Sequence, residues 1–311
     1  MDPALTAAAD LVIAARRREP LREVAVRDVS AWIDRRAGTD DRMLVEMVAA
    51  VVWGAAVLGS SDLAAGTDWQ AILGRLAARP VDPAAVAARD LDVEAIDPGP
   101  RLGAVMVGDS GDPVEDRLRA SLIEATESVV ASRGLAGATV TRIAREAGVD
   151  RMALYRRYDS VEGLLLDTLR AHIRARVIED SQGAIQGLMA EDPPSAISFG
   201  LVASLVPARA ASRALRLEVH LIARHHPAIE GELRDLVDAA LDRLGPIVDL
   251  EHARVPAEQA VRLYQAALLG LSILVDVVGR SYDRRELFAA IVAPMYAFER
   301  AVNAAVADRA G

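Results

Sequence analysis

Apolar residues recur every three to four positions through most of this chain, and the stretches that break the rhythm are rich in proline, glycine and charge. That is the period of a helix. Leu118, Leu122, Ile123, Ala125, Val129 and Val130 form one stripe over residues 114–132, and Leu164, Leu165, Leu169 and Ile173 form another over residues 160–178. Strand-like alternation is missing apart from an ambiguous Val105-Met106-Val107, so the pattern predicts an all-α fold. Two apolar runs stand out. Met47 to Ser61, bounded by Glu46 and Asp62, is shorter than the roughly 18 residues a membrane helix needs and predicts a buried core helix. Leu268 to Val278 is apolar on nearly every side, which demands complete burial or a second subunit.

Residues 80–112 interrupt the helical pattern. Pro80, Pro83, Pro98 and Pro100 fall there with Gly99, Gly103, Gly108 and Gly111, and Asp82, Asp90, Asp92, Glu94 and Asp97 outnumber the bases. Breakers at that density predict an acidic linker. On either side of it lies a faint internal repeat. Ala15, Arg16, Val29, Ala31, Asp34 and Arg35 align with Ala223, Arg224, Val237, Ala239, Asp242 and Arg243, and apolar Leu21 and Ala25 align with Ile229 and Leu233. A second block aligns Val45, Ala50, Gly54 and Leu58 with Val261, Ala266, Gly270 and Leu274. The register shift between the blocks falls in a loop, Ala37 to Asp40 in the first copy and the longer Gly245 to Pro256 in the second. The expected organisation is a helical partial copy of the C-terminal domain (1–79), a linker (80–112), a compact head (113–160) and a helical body (161–311).

The chain has 311 residues, 52% apolar and 26% charged, enough to bury two cores. Its 36 cations against 45 acids leave a formal charge of -9, so any surface for nucleic acid must be local. All the cations are arginine. Without lysine there is no P-loop, no Schiff base and no kinase-type phosphate lysine, and without cysteine there is no disulfide, thiolate nucleophile or Cys-ligated zinc. No secretory signal is legible, and the expectation is a cytoplasmic protein without a membrane span.

The local exception in charge is residues 139–158. Arg142, Arg145, Arg151, Arg156 and Arg157 face only Glu146 and Asp150 there. Arg133-Gly134 ends the preceding helix with a glycine suited to a positive φ. Thr139 can then cap a short helix with Ile143, Ala144 and Ala147 inward, Gly148 makes a tight turn, and Asp150 can cap a second helix anchored by Leu154 and Tyr158. Two short helices around a glycine turn make a helix-turn-helix, whose second helix enters the major groove of DNA. Local positive charge suits phosphate, and the arginine fork suits guanine or phosphate.

Val114 to Leu169 resembles the DNA-binding domain of TetR/AcrR-type transcriptional regulators. The likeness lies in Arg133-Gly134, Thr139 with Ile143-Ala144, Ala147-Gly148-Val149, Leu154-Tyr155, Tyr158, and Ser160 with Glu162 and Leu164. It implies that Thr139 and Tyr155 contact phosphates and that Arg151, Met152, Ala153 and Arg156 reach base edges or backbone, with Arg142 and Arg157 adding basic charge. It also implies a ligand-binding and dimerisation body, a small apolar effector, operator DNA as partner, a homodimer, and a repressor with neither catalytic activity nor cofactor. Departures are visible: Tyr158 for the usual phenylalanine, Met152-Ala153 for the frequent Gly-Thr, and Val161 where a phosphate-binding lysine is common. They leave room for a helical interaction module that has lost DNA binding. Residues 1–79 lack a head, so either the first copy packs on the second within one chain, or two chains associate, which is the expected arrangement. A second head upstream of Met1 stays open.

Other clusters carry less. His220, His225, His226 and His252 lack an accompanying carboxylate set and sit beside Arg224, which predicts pocket or surface imidazoles and no metal site. Gly108 to Pro113 is similar to a serine-protease nucleophile loop, but every histidine follows it and no β-fold surrounds it. Trp32, Trp53 and Trp69 are expected in a core or interface.

Overall fold

The computed structural model describes residues 3–37, 42–58, 112–181, 192–223, 225–244 and 250–292. Every regular element among them is helical, as the apolar period requires. The acidic linker lies almost wholly outside the described residues, as does Trp69.

The N-terminal copy comprises α1 (Pro3–Ala15), α2 (Glu19–Ala37) and α3 (Arg42–Leu58). The head comprises α4 (Pro113–Arg133), α5 (Val140–Glu146) and α6 (Arg151–Arg157), and α7 (Val161–Ser181) leads into the body. The body adds α8 (Pro193–Ser204), α9 (Ala210–Ala223), α10 (Pro227–Leu244), α11 (Leu250–Asp276) and a last helix, α12, over 284–292. The helix ends follow the sequence repeat. Ala15 and Ala223, which the repeat aligns, end α1 and α9; Glu19 and Pro227, aligned in the same register, open α2 and α10. Three helices on each side of the linker therefore correspond.

Two apolar cores share one wall. The first gathers α1, α2, α3, α8, α11 and α12, and includes Ile13, Ile33, Trp53, Leu201, Leu271 and Phe288. The second joins Leu122, Ile143, Leu154 and Leu164 of the head and α7 to Leu215, Val219, Ile229 and Leu233 of the body. Helix α9 separates them. Its Leu217 faces the first core, its Leu215, Val219 and Ala223 face the second, and all residues from Arg213 to His220 are buried.

Among the described residues the most extensive helix pairing is α3 against α11, which buries the two apolar runs on each other. A Cβ on Gly54 would sit 1.7 Å from the carbonyl oxygen of Ala266, and a Cβ on Gly270 would sit 1.7 Å from that of Ala50. Only glycine lets the two backbones approach that closely. The two contacts are images of each other, because the repeat aligns Ala50 with Ala266 and Gly54 with Gly270. Residue i meets j′ and j meets i′, the signature of a two-fold relation. Within this chain the first copy packs on the second. Polar groups fix the pairing. Arg22 of α2 donates from Nε to the carbonyl of Val277 at 3.1 Å, and buried Glu46 of α3 pairs with Arg280 at 3.3 Å.

Helix α9 carries four buried polar residues, Arg213, Arg216, Glu218 and His220. Arg213 forks onto Asp276 and also donates to the carbonyls of Ser204 and Val206 at 3.0 and 2.9 Å, so its charge is fully used. His220 lies with Nδ1 2.9 Å from the carbonyl of Arg216, which can only accept, so the neutral ring carries its proton on Nδ1. Burial lowers its pKa from 6.5 to about 4, opposed in part by that bond.

This packing makes the two kinds of glycine separable by experiment. Gly270→Ala forces α3 and α11 apart and should lower stability by about 2–4 kcal/mol in urea unfolding, whereas Gly231→Ala, on an open face of α10, should raise it by about 0.5–1 kcal/mol. Equal effects at the two sites would refute the close approach. For His220, the unfolded chain takes up a proton first as pH falls below 6.5, so its contribution is whole above that value and is lost toward pH 4. The stability difference between pH 7 and pH 5 should shrink by about 2 kcal/mol in His220→Leu.

Candidate nucleic-acid interface

Helix α4 is the spine of the head. Asp112 caps it by accepting from the Val114 N–H at 2.8 Å, with Pro113 in its first turn. It ends at Gly134, whose positive φ of 69°, with ψ of 174°, is a conformation only glycine enters readily. Ser121 Oγ donates to the carbonyl of Ala147 at 3.1 Å, and Ser128 Oγ donates to Glu146 at 2.8 Å. Both bonds tie the helix-turn-helix to the spine.

The turn itself is made by Ala147-Gly148. Gly148 has φ 69°, while nothing stands within 4 Å of where its Cβ would be. Conformation alone selects glycine there, whereas space alone selects it at Gly54. Helix α6 then starts at Asp150, which accepts from the Ala153 N–H at 2.7 Å, as its N-cap position predicted. Thr139 precedes α5 at the corresponding position and is exposed, but its side chain makes no capping bond, so the expected cap is not formed.

Helix α6 spans only two turns and has two unlike sides. Leu154 is fully buried and the following Tyr158 nearly so. Arg151, Met152, Tyr155 and Arg156 share the other side, all exposed, Met152 at 67% and Tyr155 at 51%. Exposed large apolar side chains set among arginines suit a surface that gains a partner. Arg151, Arg156 and Arg145 of α5 make no ion pair among the described residues.

Three expected site residues are placed differently. Ala153 is 7% exposed, its methyl packed inward, so it offers no face to a ligand. Its position on the side of α6 shared with Leu154 is the reason. Arg142 is half-buried and donates from Nη1 to the Gly137 carbonyl at 3.0 Å, which makes it a brace for the loop before α5. Arg157 stands 3.7 Å from Glu115 of α4, a loose pair that leaves it at the edge of the surface. Val161, in place of a common lysine, packs against the head core.

Behind α6 a polar cluster locks the head onto α7. Asp167 takes Arg119 Nε at 2.8 Å, a second bond from the same guanidinium, and the phenol of Tyr158. Burial alone would raise the Asp167 pKa, but the Arg119 and Tyr158 bonds outweigh it and hold the carboxyl below its ordinary range. Burial, and then the bond to Asp167, push the Tyr158 phenol upward. Tyrosine for phenylalanine at this position is therefore not a neutral swap: the hydroxyl joins the lock.

Residues 122–168, which span this helix-turn-helix and its lock, match the family described as bacterial regulatory proteins, tetR family. The head is thus similar to the DNA-binding domain of that family. A crystal structure of a transcriptional regulator from Rhodococcus sp. Rha1 is similar over 59% of this chain and 96% of its own, at 21% identity and a TM-score of 0.49. No curated protein matches the chain. Among the described residues, no cluster of three or more His, Asp or Glu able to hold a metal occurs, and no single helix is long and apolar enough to cross a membrane.

The TetR-type head is seated by a junction the sequence did not reveal. Glu218 of α9, 1% exposed, lies 3.3 Å from Arg16, 3.2 Å from Arg17 and accepts the Leu135 N–H at 3.3 Å. Arg16 also donates to the carbonyl of Ala131 at 2.6 Å, and Arg17 to that of Arg133 at 3.4 Å. The Arg17 guanidinium fills the space a Cβ on Gly134 would need. Head, body and N-terminal copy therefore meet at one carboxylate, and cations complete the C-terminal end of α4. Arg16 is visible in the repeat, but nothing in sequence separation tells that its partner is Glu218. Glu218→Gln strips the charge between two arginines and should cost about 2–4 kcal/mol and speed amide exchange at Leu135. Unchanged exchange there would show the junction does not hold the head.

Proposed function

We propose that this TetR-type regulator represses transcription from an operator and is released by a small, largely apolar effector held in its helical body. The observation that carries the reading is the exposed side of α6, where Arg151, Met152, Tyr155 and Arg156 project together from a buried anchor in a protein of net charge -9. Arginine forks match guanine edges or phosphates, the Tyr155 hydroxyl reaches a phosphate, and Met152 offers apolar contact to a thymine methyl. Repression and the apolar effector are inferred from the regulator class, and the protein acts where the chromosome is, in the cytoplasm.

Support for a ligand response comes from how the head is mounted. Helix α4 packs directly on α9 and α7, and Arg170 of α7 pairs with Glu232 of α10. Any ligand that binds better to a displaced α9 or α7 shifts the head with it, since a ligand biases two states only by its differential affinity. No second reading is favoured by a specific contact.

The test is fluorescence anisotropy on duplex DNA enriched from a random library by the purified chain. Tyr155→Ala and Arg156→Ala should each weaken binding at least about tenfold, with Arg156→Ala lowering the salt slope by about one, while the helical circular dichroism is retained. Salt-sensitive binding that both substitutions leave untouched would contradict the assignment of the surface.

A further inference from the structure

We propose that Arg16 and Arg17, in the turn between α1 and α2, are positioning residues for DNA binding: they hold the C-terminal end of α4 and the loop leading into α5, so that the N-terminal unit sets the affinity of the helix-turn-helix without touching DNA. The proposal rests on the DNA-binding reading above and adds to it two affinity-determining residues from a segment far upstream of the head.

The turn is anchored on its own unit. The N–H groups of Arg16, Arg17 and Arg18 donate to the carbonyls of Ile13, Ala14 and Ala15 at 3.2, 3.3 and 3.0 Å, and the Leu21 N–H donates to that of Arg18 at 2.9 Å. Ile13 and Ala15 are buried in the core that α3 and α11 share. Both guanidiniums are therefore carried by the N-terminal unit. The core that seats the head, by contrast, draws no residue from α1, α2 or α3 among the described residues. What α1 gives the head is polar contact and not apolar packing.

Those contacts fall where α4 has carbonyls to spare. The last four carbonyls of a helix lack partners within it, and Ala131 and Arg133 belong to that set. Arg16 donates from Nη1 to the first and from Nη2 to Glu218, a fork across two partners, whereas Arg17 sets one nitrogen, Nη1, against both the Arg133 carbonyl and Glu218. From there the bonds run on to the DNA-facing side. The Leu135 N–H donates to Glu218, the Ala138 N–H to the carbonyl of Leu135 at 2.9 Å, and the Thr139 N–H to that of Gly137 at 2.9 Å, which also takes Arg142 at 3.0 Å. Exposed Thr139 opens α5. Losing either guanidinium frees this loop, and DNA must then order the helix-turn-helix at a cost in affinity. Linkage makes the effect reciprocal, so bound DNA tightens the junction.

The experiment measures affinity, salt dependence and amide exchange on the full chain, with a duplex selected from a random library and each variant compared at equal active fraction. Arg17→Ala should weaken binding at least about fivefold and leave the salt slope unchanged, because no phosphate contact is lost. Arg17→Lys keeps a cation where one nitrogen serves both contacts and should bind within about twofold of the parent, whereas Arg16→Lys loses the fork and should fall at least about fivefold. Arg17→Ala combined with Glu218→Gln should weaken binding little more than either change alone. Saturating DNA should slow exchange at Leu135 in the parent and not in Arg17→Ala. Parent-like affinity in Arg17→Ala overturns the inference and leaves the DNA-binding reading intact. A salt slope lower by about one would place Arg17 on a phosphate and overturns it too. Should Arg17→Ala fail to fold, the two lysine variants carry the test, and equal affinities in them overturn the inference. A parent chain that enriches no duplex overturns the proposed function and this inference with it.

Discussion

The fold depends on two backbones coming closer than any side chain allows. At Gly54 and Gly270 a single methyl group would fall inside the van der Waals radius of a partner carbonyl, so the separation of α3 and α11 is set by the absence of two Cβ atoms. The buried apolar residues of the N-terminal helices then have a wall to pack on, and the run Leu268 to Val278 finds a partner inside its own chain. Interactions of this kind carry little net energy per atom but are intolerant of any addition, because dispersion contacts sum over a whole helix face. The polar ties at the margin, Arg22 to Val277 and Glu46 to Arg280, add direction to a contact that is otherwise slippery.

From that contact the position of the head follows. With α3 fixed on α11, α1 is held beside α9, and Arg16 and Arg17 at its end come within reach of Glu218 and of the carbonyls that close α4. A buried carboxylate between two guanidiniums is stable only while all three are in place. The N-terminal copy is therefore part of the mounting of the DNA-binding unit, and a change in how the two copies pack would be felt at α4 through Glu218. The Asp167 cluster performs the complementary task on the far side, joining α4, Tyr158 and α7 into one rigid piece.

Much of this was legible in the residues, and the rest was not for definite reasons. Helix period predicted the elements, and Gly148, Asp150, Leu154 and Tyr158 carried the helix-turn-helix because their roles are local, decided within a few positions of each other. The repeat predicted corresponding helices, since aligned residues need no knowledge of contact. Whether the copies pack within one chain was invisible: a glycine that admits a neighbouring backbone looks the same in sequence as one that bends a turn. Ala153 was misplaced because in a helix of two turns a shift of one residue moves a side chain from the outer side to the inner. Arg142 and Arg157 were counted as surface charge because sequence shows cations and not the carbonyl of Gly137 or the carboxylate of Glu115 that each one meets. The Glu218 junction joins residues from three separate segments, which no local signal can announce.

Pairing of the two copies inside one chain is the central claim, and the natural lack of cysteine makes it directly measurable. Cysteines introduced at Arg27 and Asp235, exposed positions that the repeat aligns, can carry spin labels for pulsed electron-electron distance measurement. Doubly labelled chain diluted into an excess of unlabelled chain should keep one narrow distance, unchanged by the dilution. A distance that fades as unlabelled chain is added would mean that the copies pair between chains, which contradicts the packing of α3 on α11 within one chain.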